Sequence, residues 1–457
     1  MIMKRPAKIQ IRYGAALLLS ISILSACEKY LGEKPNQKLA TIETLGDMQA
    51  LLDDFNKMNT GDPGVANAVS DDSYVTEEVF KARSIYDQNL YLWKGDHNFE
   101  PPAAQWSAAY EKIYVANTVL DAVKAKENQI KDAVGLARVK AQALFHRARQ
   151  FFNVVNIWTA ACDKNTAASA LGIPLRLDAD FNKISTRATL GETYGQITGD
   201  LKKAIIALPV TDISTVRPTK GAAYGMLSRI YLQMREYGPA RQYADSALAI
   251  NSSLMDYNTL TAAANFPIAR QNAEVIFDSR AVATGTGSQA RALINPELYN
   301  LYQSNDLRKT VFFRLSGTAY IFKGYYAGAA SLFNGIATDE LLLIRAECLA
   351  RADQLSLALK DLNFLLENRY KKGTYNAYQG LTKTELLNLI KQERRKELLF
   401  RMLRWGDIKR WNLEGDNIIL SRTVDGKQTI LSSNSLLYAI SIPEDIIEKT
   451  GMPQNPR

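Results

Sequence analysis

The side chains that most often carry chemistry are scarce in this chain. Histidine occurs twice, as His97 and His146, and cysteine three times, as Cys27, Cys162 and Cys348. Two imidazoles cannot build a multi-histidine metal centre, and any histidine-based catalytic triad would have to use one of them. Three thiols are too few for a disulfide framework or a four-thiolate zinc site. One cysteine has a context that gives it a reaction. Cys27 closes the run Leu24-Ser25-Ala26-Cys27, where small residues suit a signal peptidase pocket and the thiol can accept a diacylglyceryl group, as in a bacterial lipobox. Cys162 and Cys348 read as small, partly buried residues. His97 reads as a surface loop residue, and His146, between Phe145 and Arg147, as a helix-surface residue.

The segment before Cys27 fits that reading. Lys4, Arg5, Lys8 and Arg12 come without an acid, and residues 15–26 are apolar or small. That run is too short for a bilayer core, which needs ~20 helical residues, and right for the apolar region of an export signal. Residues 1–26 are therefore expected to be a lipoprotein signal peptide, and residues 27–457 a folded body held to a membrane by acyl chains. With 47% apolar and 23% charged residues the chain must fold. Its formal charge of +9 is spread along the chain, without the concentrated basic patch of a nucleic-acid binder. No EF-hand spacing occurs and no obligatory cofactor is expected.

The frame is mostly α. A short helix is expected over 45–55, and apolar residues recur at three and four positions from Trp106 through Ala109, Tyr110, Ile113, Asn117 and Leu120. The same rhythm runs through Ala141, Leu144, Phe145, Ala148, Phe151, Phe152 and Val155, so the two stretches predict an antiparallel helix hairpin. Helices follow over 189–208 and from about 219. Residues 224–252 resemble a tetratricopeptide repeat through Tyr224, Leu227, Ser228, Tyr231, Ala240, Ala244 and Ser252, with a weaker copy at Leu342, Ala346, Leu349, Ala358, Leu362 and Leu365. The array is interrupted by residues 253–338. One more helix is expected over 384–410, then a hairpin over 420–431 turned at Asp425-Gly426. The scaffold thus spans about 104–252 and 339–411, with loop-rich insertions over 60–103 and 253–338 and a hairpin and tail over 412–457.

The string ERRKELLFRMLRWGDIKRW at residues 393–411 resembles the signature helix of the SusD/RagB family of Bacteroidetes nutrient-uptake lipoproteins. The lipobox, the 106–120 and 141–152 helix pair, Gly172-Ile173-Pro174-Leu175, Gly199-Asp200-Leu201, Leu208-Pro209, Asn305-Asp306-Leu307-Arg308, Ile440-Ser441-Ile442-Pro443 and Gln454-Asn455-Pro456 follow in the family's order. Arg401, Met402 and Leu403 depart from it, standing where the family often has Glu-Gly or Glu-Asn followed by His or Tyr. Within the signature, Glu397 and Arg401 are spaced as an exposed i,i+4 pair, and Asp407 can pair with Arg410.

The resemblance implies a SusD-like fold: interrupted tetratricopeptide-like helix pairs with loop-rich and short β insertions. It also implies a cell-surface, outer-membrane lipoprotein that captures an oligosaccharide or other nutrient, without breaking it, for a SusC-like TonB-dependent transporter. Sugar rings stack on aromatic faces while their hydroxyls seek planar polar groups. From composition and location, the ligand surface is expected at Tyr74, Tyr91, Trp93 and Asn98 with Tyr302, Phe322, Tyr325 and Tyr326. Two other classes fit the residues: a lipid-anchored helical-repeat scaffold for protein partners, and a surface glycosidase with two carboxylates ~5–9.5 Å apart.

Overall fold

Local signals start the helices where the periodicity places them. In the computed structural model, which describes residues 42–95, 99 and 105–457, Thr44 opens α1 (Leu45–Asp53) with a capping box closed by Asp47. The signal segment, Cys27, His97 and Asn98 lie outside the described residues. From Thr44 onward the chain forms one unit. Residues 60–95, expected as loop, hold three short helices: α2 (Val65–Val69), α3 (Glu77–Lys81) and α4 (Ile85–Tyr91), the last two opened by Thr76 and Ser84. Hydroxyl caps explain how segments without a long apolar stripe become helical.

The long hairpin consists of α5 (Gln105–Lys126) and α6 (Ala133–Trp158), with Asp132 capping the second through Gly135 N. Next come β-strands Leu171–Pro174 and Arg187–Thr189, then α7 (Leu190–Ala207), whose capping box pairs Thr189 with Glu192. The repeat-like pair is α8 (Lys220–Gln233) and α9 (Tyr237–Leu248). Ala240 and Ala244 are buried, and Ser228 Oγ donates to Ala240 O at 2.9 Å, so small residues do bring the two helices close. Tyr231 and Tyr243 stack at 5.7 Å beside Lys202 of α7, filling the gap to the preceding layer.

The second copy, α10 (Thr338–Arg351) and α11 (Leu355–Glu367), packs directly on α9, so residues 253–338 leave the array and return to it. That excursion is not a free loop. It forms short strands, and the earlier segment joins them: Asp62 and Pro63 pair in parallel with Ala281 and Val282, and Ser73 and Tyr74 antiparallel with Ile294 and Leu293. Close approach explains Gly335, where a Cβ would lie 1.9 Å from Phe277 O. Among the described residues no helix is long and apolar enough to cross a membrane.

The signature segment is two helices, not one. α12 (Lys383–Glu397) stops, and α13 (Arg404–Asn412) restarts after a turn in which Phe400 and Met402 adopt φ of 60° and 61°. Left-handed backbone costs ~1–2 kcal/mol at a non-glycine residue. The break offsets that cost by turning the Phe400 ring onto Phe322, 4.9 Å away and nearly parallel, and by sending Arg401 to Asp339 at 2.5 Å. Glu397 and Arg401 therefore do not form the exposed local pair that their spacing suggests. Glu397 is buried and accepts from Arg369 Nε (2.7 Å) and Arg308 Nη1 (2.9 Å). The Asp407–Arg410 pair does form, at 2.9 Å, but in the interior. The C-terminal hairpin pairs Leu420–Val424 with Lys427–Leu431, and α14 (Glu444–Thr450) ends the helical structure.

Candidate ligand-binding site

Six of the eight side chains expected at the ligand surface, Tyr91, Trp93, Tyr302, Phe322, Tyr325 and Tyr326, are at most 5% exposed. They are core residues in this fold. Trp93 Nε1 donates to Val69 O at 2.8 Å, Tyr302 OH to Lys396 O at 2.8 Å, and the Tyr91 ring lies 3.8 Å beneath the Arg422 guanidinium. Tyr326 OH sits between Glu274 (2.6 Å) and Asp339 (3.0 Å), while Phe322 and Tyr325 pack around Phe400. Pairing between the 60–95 and 253–338 segments turns their rings inward. Tyr74 alone is half-buried, on its short strand, and Asn98 lies outside the described residues. His146 is also interior, against the edges of Phe145 and Phe277. Cys162 and Cys348 are buried thiols pushed up, by desolvation, to about 11 and about 12.

The open cleft with ring chemistry lies elsewhere, on the outer face of α5. Its volume is about 390 Å³, and its lining includes Trp106, Tyr110, Tyr114, Asn117, Arg176 and Phe181, with Ile446 and Met452 forming the opposite wall. Four-residue spacing sets Trp106, Tyr110 and Tyr114 on one helical face as a ladder. Trp106 is anchored edge-on to Trp158 at 5.1 Å, and Tyr110 OH donates to Pro174 O at 2.9 Å. Tyr114 is 47% exposed and Phe181 81% exposed, both rings without a burial role.

A loop of residues 175–186 carries Phe181 and is fixed to α5 through its backbone. Asn117 Nδ2 donates to Arg176 O (2.8 Å) and Asp178 O (3.1 Å), and Ala179 N donates to Asp121 Oδ2 at 3.0 Å. Asn117 is itself held by Arg147, which pairs with Asp200. Burial raises the Tyr110 hydroxyl well above its usual range, with Arg187 and Arg176 pulling the other way, so it stays a neutral donor. Rings beside planar polar groups suit the apolar faces and hydroxyls of a sugar.

A second cavity, about 360 Å³, lies against α13 and residues 433–439. Lys409 lines it, but its ammonium caps the C-terminus of α6 by donating to Asn156 O (2.7 Å) and Thr159 O (2.9 Å). Burial pushes this lysine down to about 7 against the favourable helix dipole. Glu274, Asp339 and Glu397 bring carboxylate oxygens within 4.8 Å of one another, yet all three are buried beyond reach of a substrate. Arg369 ties Glu274 to Glu397, and Arg401 holds Asp339.

Residues 29–232 match a SusD-like family described as starch-binding and associating with the outer membrane, and residues 338–452 match the SusD family. The SusD-like protein P2 of Formosa agariphila is 26% identical over 421 residues, covering 78% of this chain and 80% of that one. A SusD superfamily protein from Bacteroides thetaiotaomicron superposes with a TM-score of 0.74 at 19% identity, covering 91% of this chain and 100% of that one. A laminarin-binding SusD-like protein superposes with a TM-score of 0.62 at 17% identity, covering 90% of this chain and 97% of that one. The chain belongs to the SusD/RagB family, whose SusD-like members are associated with the outer membrane.

Proposed function

We propose that this protein binds a saccharide in the cleft between α5, the 175–186 loop and α14, and passes it intact to a SusC-like TonB-dependent transporter. The carrying observation is the ladder ending in exposed Tyr114, faced by Phe181 and bordered by Asn117 and Arg176. Starch binding in the description of the matched family and laminarin binding by one structural relative support a glycan as ligand. Binding without turnover is the reading favoured over a glycosidase, because the cleft acids are engaged: Glu111 pairs with Lys57 at 2.8 Å and Asp178 with Lys183.

The test is calorimetric titration of the detergent-solubilised chain with neutral and charged oligosaccharides. Tyr114→Ala and Phe181→Ala are each expected to weaken binding about fivefold, equivalent to about 1 kcal/mol of ring stacking, with the thermal midpoint unmoved. Unchanged affinity in both variants would place the ligand elsewhere. Trp93→Ala is a different experiment, because that indole is interior and its loss acts on stability.

Acyl chains on Cys27 would hold the protein at the outer membrane. Cys27→Ser is expected to abolish incorporation of labelled fatty acid and move the protein out of the membrane fraction. Continued labelling of the variant would refute the anchor at that residue.

A further inference from the structure

The charges around this cleft are unevenly paired. Its acids Glu111 and Asp178 are each matched by a lysine, Lys57 and Lys183. Asp121, one turn beyond Asn117 on α5, accepts from Ala179 N within the loop, and Asp180 accepts from Asn182 N; neither forms a salt bridge among the described residues. On α14, Asp445 meets Lys449 at 3.4 Å and Glu444 lies 3.8 Å from Arg457. Two arginines have no carboxylate at salt-bridge distance among the described residues, although Arg176 helps to hold the Asp178 carboxyl down from further away. Arg176 donates through Nη1 to Lys183 O (2.6 Å) and Ser185 Oγ (3.1 Å) and through Nη2 to Asp180 O, all neutral acceptors. Its Nε and one Nη2 hydrogen have no acceptor among the described residues. Arg187, on the neighbouring strand, donates to Gly172 O (2.8 Å), Leu171 O (3.4 Å), Pro453 O (3.1 Å) and Asn455 Oδ1 (2.8 Å), again all neutral. Neither guanidinium forms a salt bridge with a carboxylate among the described residues.

A guanidinium whose hydrogen-bond partners are all neutral keeps its full charge, and where it is largely buried, as at Arg187, it does so without a contacting counter-ion. Both charges act on the Tyr110 hydroxyl in the cleft floor, and burial lowers Arg187 to about 10, as expected for an unpaired cation. Carboxylate and sulfate oxygens accept two parallel N–H bonds from an arginine fork, and Arg176 presents free N–H groups beside the ring ladder.

We propose that the cleft selects an anionic saccharide, one bearing uronate carboxylates or sulfate esters, with Arg176 as its direct contact and Arg187 as a fixed positive field behind it. This rests on the cleft being the ligand site. Rings of the sugar stack on Tyr114 and Phe181 while its anionic substituent lies against Arg176.

Three probes separate the outcomes: an oligogalacturonate, a sulfated galactan oligosaccharide and a neutral malto-oligosaccharide, each titrated into the detergent-solubilised full chain. At least one anionic probe is expected to bind about tenfold tighter than the neutral one, and to weaken about tenfold between roughly 50 and 500 mM NaCl. Which anionic probe binds tells carboxylate from sulfate. Arg176→Gln is expected to remove that preference and leave weak neutral binding in place. Because Arg176 also ties the loop together, the salt dependence of the unsubstituted chain is an independent readout. A neutral probe that binds as tightly as both charged ones overturns the charge inference and leaves the cleft reading intact. Absence of binding by all three, or binding that Tyr114→Ala does not weaken, overturns the cleft reading and the charge inference with it.

Discussion

Replacing Arg308 by methionine is expected to lower the unfolding free energy by about 3–5 kcal/mol, a large share of the ~5–15 kcal/mol that a folded domain has. Arg308 is completely buried and serves three carboxylates: Asp306 through Nε (2.9 Å) and Nη2 (2.7 Å), Glu393 (2.7 Å) and Glu397 (2.9 Å). Glu397 continues to Arg369, which reaches Glu274 at 2.7 Å, and Lys396 bridges Glu393 and Asp306. Removing the arginine leaves Asp306, Glu393 and Glu397 with only Lys396 and Arg369 in a dry interior, and methionine fills most of the volume without supplying charge. The urea midpoint is the measurement. The loss should be greatest at neutral pH and shrink on acidification, as the orphaned carboxylates take up protons instead of staying ionised. Lys81→Met, at the exposed Lys81–Glu77 and Lys81–Asp425 pairs, should leave the midpoint where it is, since exposed pairs are screened by water. A midpoint for Arg308→Met that also stays put would mean that the cluster is hydrated rather than closed.

The same cluster shows where sequence reading succeeds and where it stops. Helix pairs were legible because their cause is local: three- and four-residue periodicity, hydroxyl caps and small residues such as Ala240 and Ala244 act within one segment or its neighbour. The fate of Glu397 and Arg401 is not local. Their spacing fits a surface pair, but Arg369, Arg308 and Asp339, from three other parts of the chain, compete for them and win in the interior. The break at Phe400 is hidden for a like reason, because the apolar run across it continues a helical pattern while the ring's partners, Phe322 and Tyr325, come from the excursion.

Residues 253–338 are rich in aromatics, but composition could not say which way the rings point. That direction follows from pairing with Asp62-Pro63 and Ser73-Tyr74, more than two hundred residues earlier in sequence. The cleft did leave one trace. Tyr114 sits at the edge of the apolar stripe that runs through Tyr110, Ile113 and Asn117, a position that spacing alone leaves between core and surface. Its partner Phe181 needed the loop geometry that Asn117 imposes from the other side.

Substituting His146 by leucine is expected to change the acid side of the stability profile rather than its neutral level. The imidazole is fully enclosed on α6, and neither ring nitrogen has a hydrogen-bond partner among the described residues. Burial, then the nearby Arg149, opposed by Asp62 and aided by a smaller push from Lys112, holds its pKa down to about 3. An unfolded histidine titrates near 6.5, so the unfolded chain binds the extra proton over that interval. The stabilising contribution is therefore intact above pH ~6.5 and is lost as the pH falls toward 3, by about 3 kcal/mol at pH 4. Asp339 acts in the opposite sense. Burial, opposed by Arg401 and reinforced by Glu274 and Glu397, raises its carboxyl from 3.8 to about 7, so its contribution is complete below pH 3.8 and disappears as the pH rises through 7. Between pH 4 and 6.5 the two groups therefore tilt the stability profile in opposite directions. Asp62, lowered to about 2, begins to matter only below that window. Urea midpoints at several pH values within it separate the two groups: His146→Leu should gain stability on acidification, and Asp339→Asn should lose it more steeply than the parent. The level of the asparagine variant will drop at every pH because Arg401 loses its partner, so the slope is the quantity to read. Parallel slopes in all three proteins would show that neither buried group changes protonation on folding.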